Sequence, residues 1–207
     1  MNMNMNLSYN EERKPMHALI TEQNKSSPTC LRYHRIINRL TIMVLLGFSC
    51  VFLSDWLGLR FNTTRSVDPG FYWVINKQPE KGDFVSFCPA ETSISQMAYL
   101  RGYIGFGNCP GHYQRLLKIV YGMAGDEIEF QEHGISVNGS VLPQSAFLPQ
   151  DGLGRSLMPF SSKPIVLNAD ELWVMTNHNP LSFDSRYFGP IRLAQVSNVV
   201  RPIWTWQ

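Results

Sequence analysis

A chain of 207 residues has room for one domain and an added segment, and too little for two large domains. A hydrophobic share of 44% with 12% aromatics excludes a wholly disordered chain. The net charge of +2 gives no global pull toward nucleic acid, so none is expected as a partner.

Residues 1–39 come first and hold six basic against three acidic side chains. The first thirty are polar and aperiodic, so the whole segment reads as a disordered tail. An apolar run follows at once. Leu40 to Ser54 carries no charge, and beyond Asp55 the run continues to Leu59. Twenty residues suit a hydrocarbon core of about 30 Å, which predicts a transmembrane helix over 40–59. Arg32, Arg35 and Arg39 flank its near side. The positive-inside rule then keeps the N-terminus in the cytoplasm and exports residues 60–207. A cleaved signal peptide fits worse, because 39 residues precede the run and Ser-Cys-Val or Leu-Ser-Asp makes a poor small-x-small site.

That topology sorts the cysteines. Cys30 is cytoplasmic and Cys50 lies in the span, while Cys88 and Cys109 are exported and form the one pair possible there. No spacing fits zinc, so neither a metal nor a cofactor is expected.

The exported part reads as all-β. Short β-branched or aromatic runs lie at 71–75, 83–87, 115–121, 127–130, 134–137, 140–142 and 171–176. Asn138-Gly139 between two of them is a hairpin signal. One stretch departs from this pattern: Thr92 or Ser93 can cap a short helix carrying Ile94, Met97, Ala98 and Leu100. It sits between Cys88 and Cys109, so a disulfide there would staple a helical excursion to the sheet. Residues 143–164, with four prolines and two glycines, predict a long irregular loop.

Three segments carry the chemistry. Asn62 to Tyr72 holds Ser66 before Asp68-Pro69-Gly70, and Gln114 to Asp126 holds Lys118 among Leu116, Leu117, Ile119 and Val120. Asn177 to Pro190 holds Ser182, Asp184 and Arg186. Together, in this order behind an apolar run, they resemble the signal peptidase I family. The resemblance is strongest to its TraF-type branch, the conjugative-transfer signal peptidases, and covers about residues 40–203. Pro69-Gly70-Phe71-Tyr72, Phe87-Cys88-Pro89, Cys109-Pro110-Gly111 and Asp184-Ser185-Arg186-Tyr187-Phe188-Gly189-Pro190 carry the TraF-type part. Ile119 stands where the family often has Arg.

The resemblance implies a serine peptidase with a Ser66–Lys118 dyad. Physical chemistry supports the roles. A serine hydroxyl needs a neighbouring base, and a lysine serves only if burial depresses its pKa toward ~7–8. Thr64 matches a position that offers a hydroxyl to the oxyanion, Asp184 and Arg186 are auxiliary, and Ser182 can orient the lysine amine. A histidine triad stays open, since sequence alone cannot locate one. By resemblance the substrate is an exported precursor, a conjugative pilin subunit, with cyclisation of the product in some members. Further partners are the lipid bilayer and other conjugative transfer proteins of a type IV secretion system. The expected place is the inner membrane with a periplasmic catalytic domain. The alternatives are a general type I signal peptidase and a non-catalytic envelope scaffold.

Overall fold

The computed structural model describes residues 28–177 and 179–206. Residues 1–27, most of the expected tail, lie outside the described residues, as does His178 of the third segment. The first element is helix α1, Pro28–Trp56. It starts twelve residues before the expected boundary at Leu40 and takes in the basic flank. Pro28 occupies the first helical position, where its missing N–H costs nothing, and the Leu, Ile and Arg residues that follow are adequate helix formers. The boundary at 39/40 marks where charge ends, which is a different property from where the helix begins.

Within α1, Arg32–Ser54 is long and apolar enough to cross a membrane, and its apolar window is unburied by the protein. At 1.5 Å per residue these 23 residues span about 35 Å. Thr41 and Ser49 donate their hydroxyls to the carbonyls of Ile37 and Leu45, so neither brings an unmet donor into the apolar stretch. The helix stops at Trp56, short of the expected Leu59. Gly58 takes φ +90°, and Leu59 already begins a strand.

Residues 54–207 form a compact unit of their own. It is mostly β, with two antiparallel sheets. The strands are β1 (Leu59–Asn62), β2 (Gly70–Ile75), β3 (Phe84–Phe87), β4 (Leu116–Gly122), β5 (Glu127–Gln131), β6 (Gly134–Val137), β7 (Ser140–Val141), β8 (Ile165–Val166), β9 (Glu171–Met175), β10 (Ile191–Arg192) and β11 (Val196–Thr205). Seven make a sheet in the order β1-β2-β11-β3-β4-β9-β10, and β7-β6-β5-β8 make the other. Asn138 and Gly139 turn with φ 50° and 79°, as a two-residue hairpin between β6 and β7 requires.

Strand β11 was not legible in the sequence, though it lies inside the sheet between β2 and β3. Pro202 argues against an inner strand, and here the register shifts between Pro202 and Trp204, the bulge that tolerates a proline. Gly70 faces Thr205 in the register of the two strands. A Cβ there would collide with the Trp204 carbonyl oxygen.

The helical excursion is α2, Ser93–Leu100, with Thr92 accepting from the Ser95 N–H as its cap. Cys88 and Cys109 are bonded across it, their Cα atoms 5.5 Å apart. Ala98, Ile104, Cys109 and Tyr113 pack against Phe183 and Tyr187 in one apolar cluster. The bridge closes a loop of 21 residues, for which chain entropy gives about 3 kcal/mol. A Cys88→Ala/Cys109→Ala double variant should lose about that much unfolding free energy in denaturant titration. Mass spectrometry of the unreduced, exported protein should show the pair joined, and two free thiols would contradict it.

Candidate active site

Strand β4 delivers Lys118 to the interior. Its neighbour in the β3 register is Val85, itself fully buried, and the next two residues, Ile119 and Val120, pair with Met175 and Val174 in β9. Lys118 is 1% exposed. Its Nζ donates to Ser182 Oγ at 2.7 Å. Burial, which penalises the ammonium, is the main cause of a pKa lowered to about 8. The Asp184 charge pulls it up and the Arg186 charge pushes it down, both less strongly than burial. A substantial fraction of this amine is therefore neutral near pH 7–8, where an exposed lysine would be almost wholly protonated.

The third segment supplies the surroundings. Asp184 caps the four-residue helix α3, Ser185–Phe188, by accepting from the Arg186 N–H. Both side chains are fully buried. Arg186 Nε and Nη2 reach the two Asp184 oxygens at 2.8 and 3.0 Å, a bidentate pair. Nη2 also donates to the Ser182 carbonyl at 2.9 Å, and Nη1 to the Ala146 carbonyl at 2.8 Å and the Gln144 carbonyl at 3.3 Å. The guanidinium thus fastens the segment that carries Ser182 to the long loop, and spends its donors doing so.

Ser66 lies half-buried in the loop between β1 and β2. That loop is tightly held. Asn62 accepts from the Thr64 N–H at 3.1 Å, an Asx turn, and its amide donates to the carbonyls of Thr64, Val67 and Asp68. Tyr72 donates its hydroxyl to the Asp68 carbonyl at 2.6 Å, and Asn179 donates to the Arg65 carbonyl at 3.1 Å. The Thr176 hydroxyl donates to the Ser66 carbonyl. Since Met175 pairs with Ile119, the next antiparallel step sets Thr176 across from Lys118, so one hydrogen bond ties the serine backbone to the register position facing the lysine. Val67 then packs with Ile119, Tyr72 and Val200.

Thr64 donates its hydroxyl to Asn62 Oδ1 at 2.8 Å. In this geometry its proton braces the loop, and reaching an oxyanion would require the hydroxyl to rotate away from Asn62.

A cleft of about 300 Å³ opens beside Ser66 and is lined by Thr64, Ser86, Leu116 and Leu117 among others. No described histidine lines it; His112 and His133 are exposed elsewhere. Sequence reasoning missed Asn62, Tyr72 and Thr176. Asn62 had a local signal, an Asx two residues before a threonine. Thr176 had none, because its partner is 110 residues away.

Comparison with known proteins gives the family. The family profile described as signal peptidase, peptidase S26, matches residues 32–206. A "Plasmid transfer protein TraF" from Escherichia coli is 39% identical over 172 residues, which cover 81% of this chain and 97% of that protein. A second protein of that name from Escherichia coli is 38% identical over 176 residues, covering 83% and 99%. A "Probable conjugal transfer protein TraF" from Sinorhizobium fredii is 32% identical over 198 residues, covering 93% and 97%. With a family profile spanning the β domain and relatives aligned over nearly their whole length, the chain belongs to the signal peptidase family, peptidase S26, and is a serine peptidase of that type.

Proposed function

We propose that this protein is a membrane-anchored endopeptidase of conjugation that cleaves an exported pilin-like precursor with Ser66 as nucleophile and Lys118 as general base. The observation that carries the reading is the Lys118 amine: 1% exposed, held at 2.7 Å by Ser182, and depressed to about 8. Ser66 Oγ attacks the scissile carbonyl and its proton passes to the neutral Lys118 Nζ. The protonated lysine then gives that proton to the leaving amine, and an ester on Ser66 remains. Water resolves the ester to a free carboxylate. Attack by the substrate's own N-terminal amine instead closes a ring, which is the cyclising fate of the same intermediate. Asp184 and Arg186 act on the lysine charge and hold the Ser182 segment. Thr64 supports the oxyanion once its hydroxyl turns from Asn62.

The names of the relatives support a role in plasmid transfer. The test is incubation of the purified full chain in detergent with a pilin precursor, read by mass spectrometry. Cleavage that disappears in Ser66→Ala supports the reading, and a product lighter than the hydrolysed form by one water identifies a ring. A precursor that stays intact under conditions where general secretory precursors are cut would replace the pilin by a broad substrate range.

The anchor is the apolar helix, with Arg32, Arg35 and Arg39 on the cytoplasmic side and the β domain in the periplasm. The β domain begins three residues after that helix ends, and its β1–β2–β11 face exposes Phe61, Trp204 and Trp206, clustered with half-buried Phe71. Aromatic rings of this kind suit a membrane interface, which supports the bilayer as a partner. A reporter enzyme active only outside the cytoplasm should be active when fused after Gln207, and a cytoplasm-only reporter should be silent there. The reverse pattern would overturn the topology.

A further inference from the structure

One tyrosine borders both the Ser66 cleft and a second cavity. Tyr103 lines the 300 Å³ cleft, and it also lines a cavity of about 120 Å³ bounded by Leu148, Leu157, Leu181, Phe183 and Tyr187. Among the described residues no other lines both. Three contacts hold the ring. Its hydroxyl donates to Asp151, the Arg155 guanidinium lies over its face at 5.5 Å, and the Phe183 ring packs at 5.5 Å, tilted by 39°. Arg155 Nε in turn binds Asp151 at 2.6 Å. The loop that carries both is pinned to the excursion around Tyr103. Arg101 donates to the Ser156 carbonyl at 2.7 Å, and Arg155 donates to the Arg101 carbonyl at 3.2 Å.

From this arrangement we infer that Tyr103 is the size filter of the substrate cleft, a ring clamped by Asp151 and Arg155 that closes the cleft at the boundary of an apolar cavity. The inference rests on the cleft being the substrate site, as in the proposed function. An extended peptide presents alternate side chains to one wall, spaced by about 7 Å. The side chain that meets Tyr103 is confined to the volume of the cleft alone. Removing the ring joins the cleft to a cavity whose remaining walls are mainly leucine and aromatic carbon, and a larger apolar side chain then has somewhere to go. The long loop thereby acquires a part in specificity, since its Asp151 and Arg155 keep the ring from swinging aside. A clamp of this kind also explains why the hydroxyl is present. A phenylalanine would fill the same space between Arg155 and Phe183 but would lose the hydrogen bond to Asp151.

The distinguishing property is a gain, which a merely damaged protein does not show. Binding is measured by fluorescence anisotropy on the full chain in detergent, in a Ser66→Ala background. Substrate turnover is then absent from the measurement if the serine reading is right, and visible as falling anisotropy if it is wrong. The probes are labelled extended peptides with Ala replaced by Leu, one position at a time. With Tyr103 present, one position should reject Leu. In Tyr103→Ala, and in Tyr103→Leu, which keeps more of the contact with Phe183, the Ala-over-Leu preference at that position should fall roughly tenfold or more. Tyr103→Phe should keep the preference at least in part. An unchanged preference at every position in both Tyr103→Ala and Tyr103→Leu would overturn the size filter while leaving the cleft as the substrate site. Failure of any peptide to bind any of these proteins would overturn the cleft itself, and the filter with it.

Discussion

Ser66→Ala and Lys118→Ala should each remove precursor cleavage almost completely, by roughly 10⁴- to 10⁶-fold, and the double variant should be no slower than either. The two residues act in one proton transfer, so losing either leaves the other idle. Lys118→Arg should also be inactive, because a guanidinium stays protonated at any pH the enzyme meets. Full activity in Lys118→Arg would rule out the lysine as base. For the native chain the rate should climb with pH through about 8, since only the neutral amine accepts the serine proton. Stability provides the control against simple unfolding. The native amine titrates near 8 and an unfolded lysine near 10.5, so between those values the unfolded state binds more protons. Stability therefore rises with pH across that window, and below it the buried lysine costs about 3 kcal/mol. Lys118→Met removes the cost and strands the Ser182 hydroxyl, which returns about 1 kcal/mol of it. The variant should be dead yet about 2 kcal/mol more stable at pH 7, with the gain shrinking toward pH 10.5. Denaturant titrations at several pH values measure this directly.

The Asp184–Arg186 pair should give the second large effect. Both groups are fully buried and bidentate, so removing one leaves an uncompensated interior charge. Asp184→Asn and Arg186→Met should each cost about 3–5 kcal/mol of unfolding free energy. A purely structural pair would do no more than that. Here the two variants should also move the pH–rate midpoint in opposite directions. Asp184 raises the Lys118 pKa, so Asp184→Asn should shift the midpoint down; Arg186 lowers it, so Arg186→Met should shift it up. The double variant Asp184→Leu/Arg186→Met should recover much of the stability, because it removes the stranded charge along with the pair. Midpoints that do not move, or move together, would confine the pair to a structural role. The measurement is kcat/KM against pH on the folded fraction of each variant.

Much of this protein was readable without its structure because the information was local. A charge-free run behind three arginines is a one-dimensional pattern, and so are the alternating strands, the Asn138-Gly139 turn and the Thr92 cap. The three boxes could be matched in order for the same reason. The apolar neighbours of Lys118 even gave a physical ground for expecting its amine to be buried. What the sequence could not express were pairings between distant segments. Strand β11 owes its place to β2 and β3, more than a hundred residues earlier, and its own residues include a proline that locally argues the other way. The helix end at Trp56 was decided by Gly58 and by the pairing of Leu59 with Trp73, while hydrophobicity alone ran on to Leu59. Burial of Lys118 required β3 and β9 on either side of β4, and its partner Ser182 lies 64 residues away. Thr176 holds the Ser66 carbonyl across 110 residues, and Tyr103 meets Asp151 across 48. Those contacts depend on side chains that carry no local signature. They exist only once the sheet has closed and excluded water, and that closure decides which groups are desolvated and which charges are left to act on the lysine.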